Sequence, residues 1–143
     1  MKIIIDTREQ KPWEFGKDVE TVKECLETGD YSIEGHEADV CLERKELSDF
    51  IACCSFERTR FKACMERMME FKARCVVIEG DFREIALHHY QSQIEPQAVI
   101  GSIASWTQRY NLPFILASDR VSAARFALAF MRNYLKQLEE VKA

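Results

Sequence analysis

The chain contains 143 residues, of which 47% are hydrophobic and 31% are charged, and this balance argues against a disordered or low-complexity protein. The length predicts one domain over residues 1–143, and the N-terminal apolar run, Ile3–Ile5, is too short for a secretory signal or a membrane span. We therefore expect a soluble protein without membrane association that acts inside the cell, in the cytoplasm, nucleoid or nucleus.

The net charge of -4 hides an uneven distribution of charged side chains along the chain. Residues 1–55 contain 7 basic and 14 acidic side chains, whereas residues 58–74 contain 6 basic and 2 acidic ones. An acidic region followed by a basic helix is typical of a cation site beside a surface that binds phosphates. Two solvated faces would give the same pattern, so the charge distribution alone does not decide between these interpretations.

The six cysteines show no CxxC pair, and most lie inside apolar runs such as Ile51–Cys54. A disulfide framework or a zinc site would need a different spacing. We interpret these cysteines as small buried hydrophobic residues in a reducing compartment.

The first half of the chain is predicted to form strands joined by loops. Lys2–Asp6 is a β-branched run that ends in a carboxylate, which predicts a buried strand, and a loop containing Pro12 and Gly16 follows it. Residues 19–28 could form either a helix or an extended strand. Tyr31–Ile33 and Val40–Leu42 flank a polar connection and predict a hairpin.

The second half alternates between helical and extended patterns. The helices are predicted from Glu46 to Cys54, from Phe56 to Lys72, from Pro96 to Tyr110, and from a cap at Ser118 or Asp119 to about Glu140. Strands are predicted at Cys75–Glu79 and Phe114–Ala117. This order predicts an α/β fold, with a mixed central sheet flanked by helices.

Several carboxylates and one lysine are placed where they can converge. Glu43 and Lys45 are two residues apart on a predicted strand, so their side chains point to the same face. Asp30 follows Gly29 at a turn that the hairpin can bring opposite Glu43, and Asp6 ends the first strand. Carboxylates that bind a hard divalent cation beside a lysine are suited to phosphodiester hydrolysis. Taken singly, these residues are more typical of surface ion pairs or of the polar end of an edge strand.

The order of these residues resembles a known family signature. Gly29-Asp30, Glu43-Arg44-Lys45 and Asp49 are similar to the GD and ERKxxxD motifs of the XPF/Hef-type structure-specific DNA nucleases. Further likeness lies in Asp6-Thr7-Arg8-Glu9, Arg60-Phe61 and Val77-Ile78-Glu79-Gly80. The resemblance implies a restriction-endonuclease-like fold, dependence on Mg²⁺ or Mn²⁺, and cleavage of branched, flap or fork DNA in repair or recombination.

The resemblance also implies a role for each matching residue. Asp30 and Glu43 are expected to bind the metal, with Asp6 beside it directly or through water, and Lys45 is expected to act on the water or the phosphate. Arg44 and Arg8 are expected to hold the carboxylates or contact phosphate, with Glu9 and Asp49 supporting them. For DNA binding we expect contributions from Arg8 and from the basic helix, through Arg58, Arg60 and Lys62.

The expected partners are DNA and a second copy of the chain. Apolar residues cover more than one stripe of the helix predicted at 119–140, which indicates a homodimer through that helix and residues 97–109, unless both stripes pack within one subunit. The resemblance also implies dimerisation in this region. We expect no helix-hairpin-helix domain in this chain, so a separate protein could supply that grip on DNA.

There are two alternatives to an active nuclease. A catalytically idle scaffold that binds DNA or a partner is the principal alternative, but such a copy should lack some of Asp30, Glu43, Arg44 or Lys45, and all are present. The second alternative is an RNA-binding or regulatory domain, but the sequence contains no aromatic ribonucleoprotein motif that would support it. We expect the adjacent His88 and His89 to be surface residues and Trp106 to belong to the core.

Overall fold

A mixed six-stranded sheet forms the centre of the structure, a computed structural model that describes residues 1–142. The strands are β1 (Lys2–Asp6), β2 (Glu20–Glu24), β3 (Tyr31–Ile33), β4 (Val40–Glu46), β5 (Ala73–Glu79) and β6 (Phe114–Leu116). Their order across the sheet is β2-β1-β3-β4-β5-β6. The meander β1-β3-β4 is antiparallel, whereas β2 pairs with β1, β5 with β4, and β6 with β5 in parallel.

The helices surround this sheet. They are α1 (Leu47–Cys54), α2 (Arg58–Met68), α3 (Phe82–Ala86), α4 (Pro96–Tyr110) and α5 (Arg120–Lys142). The predicted fold class, a mixed sheet flanked by helices, is confirmed. The open choice for residues 19–28 is resolved as a strand, because that segment pairs with β1.

Two helix predictions need correction. The helix expected over residues 56–72 is shorter and spans Arg58–Met68. The Arg74 guanidinium donates to the carbonyls of Met69 and Phe71 at 2.9 and 2.8 Å, which holds the chain after Met68 in a non-helical turn. The short helix α3 was not predicted, although Asp81 and Glu84 form a capping box at its start. At the start of α5, Asp119 rather than Ser118 provides the cap, since its carboxylate accepts the Ser122 N–H at 2.7 Å.

The two faces of the sheet bury separate hydrophobic clusters. One contains residues of α1 to α4, including Trp106, which is only 4% exposed and so confirms its predicted place in the core. The other contains Trp13 and the buried face of α5. Helices α4 and α5 therefore pack on opposite faces of the sheet.

Three further sequence expectations can be compared with the structure. All six cysteines are free thiols and four are buried, which confirms the interpretation of most of them as small hydrophobic residues. His89 is exposed, as expected, whereas His88 is half-buried and its ring forms a hydrogen bond with the Ser92 carbonyl at 2.8 Å. Over residues 1–142, none of the helices combines the length and the apolarity that crossing a membrane requires.

Candidate active site

The turn before β3 fixes the backbone of Asp30. Gly29 has a φ of +84°, and a Cβ at that position would lie 2.5 Å from the Cys41 sulfur. The Asp30 N–H donates to the Leu42 carbonyl at 2.8 Å, and the Asp30 carbonyl accepts the Asp6 N–H at the same distance. The peptide of Asp30 therefore bridges β1 and β4, which holds its carboxylate in a defined position.

The Asp30 carboxylate lies beside that of Glu43 and has little to balance its charge. Its Oδ2 accepts the backbone N–H of Arg44 at 2.8 Å, and within residues 1–142 no basic side chain approaches it to ion-pair distance. Burial, and then the negative charge of Glu43, raise the pKa of Asp30 well above its ordinary value. Ionised Asp30 is therefore disfavoured next to Glu43, and a cation bound between the two side chains would stabilise the ionised form.

Lys45 lies next to Glu43 on the same face of β4, as the two-residue spacing predicts. Its Nζ is 3.4 Å from Glu43 Oε2 and 5.5 Å from the centre of the Phe61 ring. Burial disfavours the charged ammonium, but Glu43 and other acidic groups outweigh this effect and raise the pKa of Lys45. The lysine therefore remains a cation beside the carboxylate pair.

Asp6 reaches the same cleft, but its carboxylate is already fully hydrogen-bonded. Oδ1 accepts from Leu26 N at 2.8 Å and from Arg8 Nη2 at 3.3 Å, while Oδ2 accepts from Arg8 Nε at 2.8 Å and Arg8 N at 3.2 Å. These bonds outweigh burial and lower the pKa of Asp6. Because a carboxylate offers about four acceptor positions, Asp6 is arranged to hold Arg8 and the end of β2 rather than to ligate a metal.

The cleft that contains these groups measures about 330 Å³. Its acidic side chains are Asp6, Glu27, Asp30, Glu43 and Glu57, and its basic ones are Arg8, Lys45, Arg60 and Arg67; Thr28, Gly29, Cys53, Phe61 and Cys64 complete the lining. Six of the predicted site residues are thus brought together. They are Asp6, Arg8, Asp30, Glu43, Lys45 and Arg60.

Cys64 and Arg67 line the cleft beside the predicted Arg60, but the sequence interpretation did not assign them to the site. Arg60, Cys64 and Arg67 follow one another at intervals of four and three residues on α2, so they lie on one face of the helix. That spacing is readable from the sequence. With this spacing, the prediction of a basic helix could have been narrowed to one basic face of that helix, directed at the carboxylates.

Arg44 and Glu9 lie on the other face of the sheet, away from the cleft. Arg44 Nε and Nη2 donate to the two Glu9 carboxylate oxygens, each at 2.9 Å, and Arg44 Nη1 donates to Glu79 at 3.1 Å. Trp13 adds an indole N–H bond to Glu79 at 2.6 Å. Arg44 thus holds a carboxylate, as expected, but it is that of the supporting residue Glu9 and not those of Asp30 and Glu43; only the Arg44 backbone N–H reaches Asp30.

Three other predicted residues also lie outside the cleft lining. Arg58 donates to Ser102 Oγ at 2.8 Å and to the Cys54 carbonyl at 3.1 Å, and its guanidinium lies 4.7 Å from the Trp106 ring. These contacts join α2 to α1 and α4, which corrects the assignment of Arg58 to DNA binding. Lys62 and Asp49 are exposed side chains that do not line the cleft.

The donor set of Asp30 and Glu43 fits a hard divalent cation. Mg²⁺ is commonly held by one or two carboxylates together with waters and substrate phosphate. In the part of the chain that the structure describes, no group of three or more His, Cys, Asp and Glu side chains is arranged to hold a metal ion. A cation bound here would therefore complete its coordination with water or substrate.

Comparison with known proteins identifies the family and the fold of the chain. The family model described as the ERCC4 domain matches residues 5–130. The structure of XPF from Aeropyrum pernix aligns with a TM-score of 0.75 at 18% identity, covering 99% of this chain and 69% of that one. The same protein in complex with DNA gives a TM-score of 0.74 at 18% identity, with coverages of 95% and 66%. No curated protein matches the chain by sequence. The chain therefore belongs to the ERCC4 domain family and has the fold of an XPF-type nuclease domain.

Proposed function

We propose that the chain is a metal-dependent DNA endonuclease that hydrolyses phosphodiester bonds in branched, flap or fork structures. The observation that carries this proposal is the pairing of Asp30 with Glu43 beside the Lys45 ammonium, in a cleft with exposed arginines. Membership of the ERCC4 domain family supports a DNA nuclease, and a structural relative exists in complex with DNA. We expect the enzyme to act inside the cell, where its six thiols stay reduced.

In this proposal Asp30 and Glu43 hold Mg²⁺ or Mn²⁺ through their carboxylate oxygens. Such a cation, when bound, polarises the phosphate and lowers the pKa of the attacking water. The bond from the Arg44 N–H leaves the second oxygen of Asp30 available as a ligand. Asp6 stays outside the direct ligand set because Arg8 and Leu26 use its acceptor positions.

Lys45 and the arginines act on the phosphate and not on the metal. The Lys45 ammonium, 3.4 Å from Glu43, is close enough to the carboxylate pair to stabilise charge that develops on a phosphate held there. Arg8 and Arg60 have side chains that are 68% and 87% exposed, so both can reach phosphates on either side of the cleaved bond.

The deciding experiment is cleavage of labelled linear, flap, fork and four-way DNA by the purified chain with Mg²⁺. Asp30→Asn and Glu43→Gln preserve volume while removing a charged oxygen ligand, so each is expected to abolish cleavage without unfolding the chain. Asp18→Asn and Glu14→Gln make the same chemical changes at exposed positions outside the cleft and should cleave like the wild type. DNA binding without cleavage by the wild type would instead support an idle scaffold.

Lys45→Ala tests the division of roles within the site. The cleavage rate is expected to fall by about a hundredfold or more, because the ammonium no longer stabilises the developing charge. Metal affinity, measured by calorimetry, should change less for Lys45→Ala than for Glu43→Gln. The opposite order would show that the two roles are wrongly assigned.

We also propose that the chain forms a homodimer through α4 and α5 at the β6 edge of the sheet. Phe126, Phe130 and Tyr134 remain half-buried on α5, and β6 has no neighbouring strand on its outer side among the described residues. A stable dimer should bury about 1,200–2,000 Å² in total. We further propose that a separate protein contributes DNA contacts outside the cleft. Pull-down of the chain with branched DNA can test for such a protein.

A further inference from the structure

Phe56 is an aromatic side chain that the fold leaves in solvent. It lies in the connection of residues 55–57 between α1 and α2, and 84% of its surface is exposed. No other large hydrophobic side chain among residues 1–142 is more exposed. Because most of its surface is open to solvent, the Phe56 side chain can contact a molecule bound at this part of the chain.

The backbone around Phe56 is well anchored. The Glu57 N–H donates to the Ala52 carbonyl at 2.9 Å, and the Ser55 N–H donates to the same carbonyl at 3.1 Å. The Ser55 hydroxyl donates to the carbonyls of Ile51 and Ala52 at 3.1 and 3.3 Å. The ring is therefore presented from a fixed turn, with little backbone freedom to lose on binding.

This turn lies at the rim of the catalytic cleft. Cys53, three residues before Phe56, and Glu57, the residue after it, both line the cleft, as does Arg60 one turn further along α2. The Arg60 side chain is 87% exposed, so both a guanidinium cation and an aromatic ring are accessible to a ligand at this rim. The combination matches a nucleic acid strand, whose phosphates are anionic and whose bases have flat apolar faces.

We propose that Phe56 stacks on an unpaired nucleobase next to the cleaved bond, and that this contact favours junctions over continuous duplex. The inference rests on the proposed function, because it requires DNA in the cleft. In a duplex each base is covered on both faces by its neighbours, whereas a base at a flap or fork has a free face. The stacking contact would therefore contribute to binding only where a strand has opened.

The test measures binding of a fork and of a duplex of equal length by chains that also carry Asp30→Asn, which prevents cleavage. Phe56→Ala should weaken fork binding by about tenfold and leave duplex binding unchanged. Phe56→Tyr should retain the preference, since it keeps the ring. Phe82→Ala is the matched control, because Phe82 is 51% exposed and belongs to α3, none of whose residues line the cleft.

A base analogue gives a second readout. The fluorescence of 2-aminopurine at the first unpaired position of the fork should be quenched by the chain with Phe56 and not by the Phe56→Ala chain. An unchanged ratio of fork to duplex binding in Phe56→Ala would overturn the inference while leaving the proposed function in place. Absence of binding and cleavage of every DNA by the wild type would overturn both. Urea unfolding of each variant shows whether the fold is retained.

Discussion

Gly29→Ala is predicted to disrupt the turn that presents Asp30. The added methyl would lie 2.5 Å from the Cys41 sulfur and 3.1 Å from the Leu42 carbonyl oxygen. The residue also has a φ of +84°, a conformation that side chains of L-residues disfavour. Both effects act at a peptide hydrogen-bonded to two strands, so neither can be relieved by movement of the turn alone.

The two effects can be estimated separately. A left-handed φ costs an L-residue about 1–2 kcal/mol. Forcing a methyl group into a packed site costs about 1–3 kcal/mol. The variant should therefore lose about 2–5 kcal/mol of unfolding free energy, a large part of the total for a small domain. At a urea slope of about 2 kcal/mol/M, the unfolding midpoint should fall by about 1–2.5 M.

Urea unfolding followed by circular dichroism measures this shift, and Gly35→Ala provides the matched control. Gly35 has a φ of +90°, but a Cβ there meets nothing within 4 Å. Gly35→Ala should thus show only the conformational cost of about 1–2 kcal/mol. Adding Cys41→Ala to Gly29→Ala removes the sulfur from the contact, so this double variant should recover part of the loss.

Equal midpoints for Gly29→Ala and Gly35→Ala would refute the reasoning, because the contact with Cys41 would then have no energetic effect. A double-mutant cycle without coupling between positions 29 and 41 would lead to the same conclusion. In either case the position of Asp30 would depend on something other than the close packing of this turn.

Three further changes test other parts of the structure. Arg44→Ala should lower the unfolding free energy by about 3–5 kcal/mol, because Glu9 loses a buried bidentate partner; a loss below 1 kcal/mol in urea unfolding would contradict this role of Arg44. Charge reversal at Arg60 and Arg67 should weaken DNA binding and flatten the slope of log K against log salt, and an unchanged slope would place the DNA elsewhere. Phe130→Glu should convert a dimer to a monomer in sedimentation at micromolar concentration, whereas a wild type already of one chain mass would exclude the dimer.

The central part of the site could be predicted from the sequence because local rules determine it. Glu43 and Lys45 share a face through the two-residue period of a strand. The antiparallel register that places Tyr31 opposite Leu42 then brings Asp30 alongside Glu43. No contact between distant parts of the chain has to be known for this step.

The surrounding residues could not be assigned in the same way, because distant contacts determine their roles. The Arg58 guanidinium is directed by Ser102, which lies 44 residues further along the chain, and away from the cleft. Arg74 donates to the carbonyls of Tyr110 and Asn111 at 3.0 and 3.2 Å, which fixes the segment after α2 where local periodicity predicted more helix. Similarly, residues 20–24 can be recognised as a strand only from their parallel pairing with β1.

The bridging peptide of Asp30 has a consequence for how the cleft moves. Its N–H and carbonyl are both bonded within the sheet, so we expect slow hydrogen exchange at Asp30 and Asp6 and little motion of the carboxylate pair on the nanosecond timescale. Arg60 on α2 also lines the cleft and is 87% exposed, and its ion pair with Glu57 is long, at 3.8 Å, so we expect its side chain to change rotamer readily. Ordering each such arginine on a phosphate costs about 0.5–1.5 kcal/mol of conformational entropy. In the proposed nuclease, the fixed carboxylate pair would hold the reacting phosphate in a defined geometry, whereas the mobile Arg60 side chain would bind the strand weakly and reversibly, which favours prompt release of the cut product.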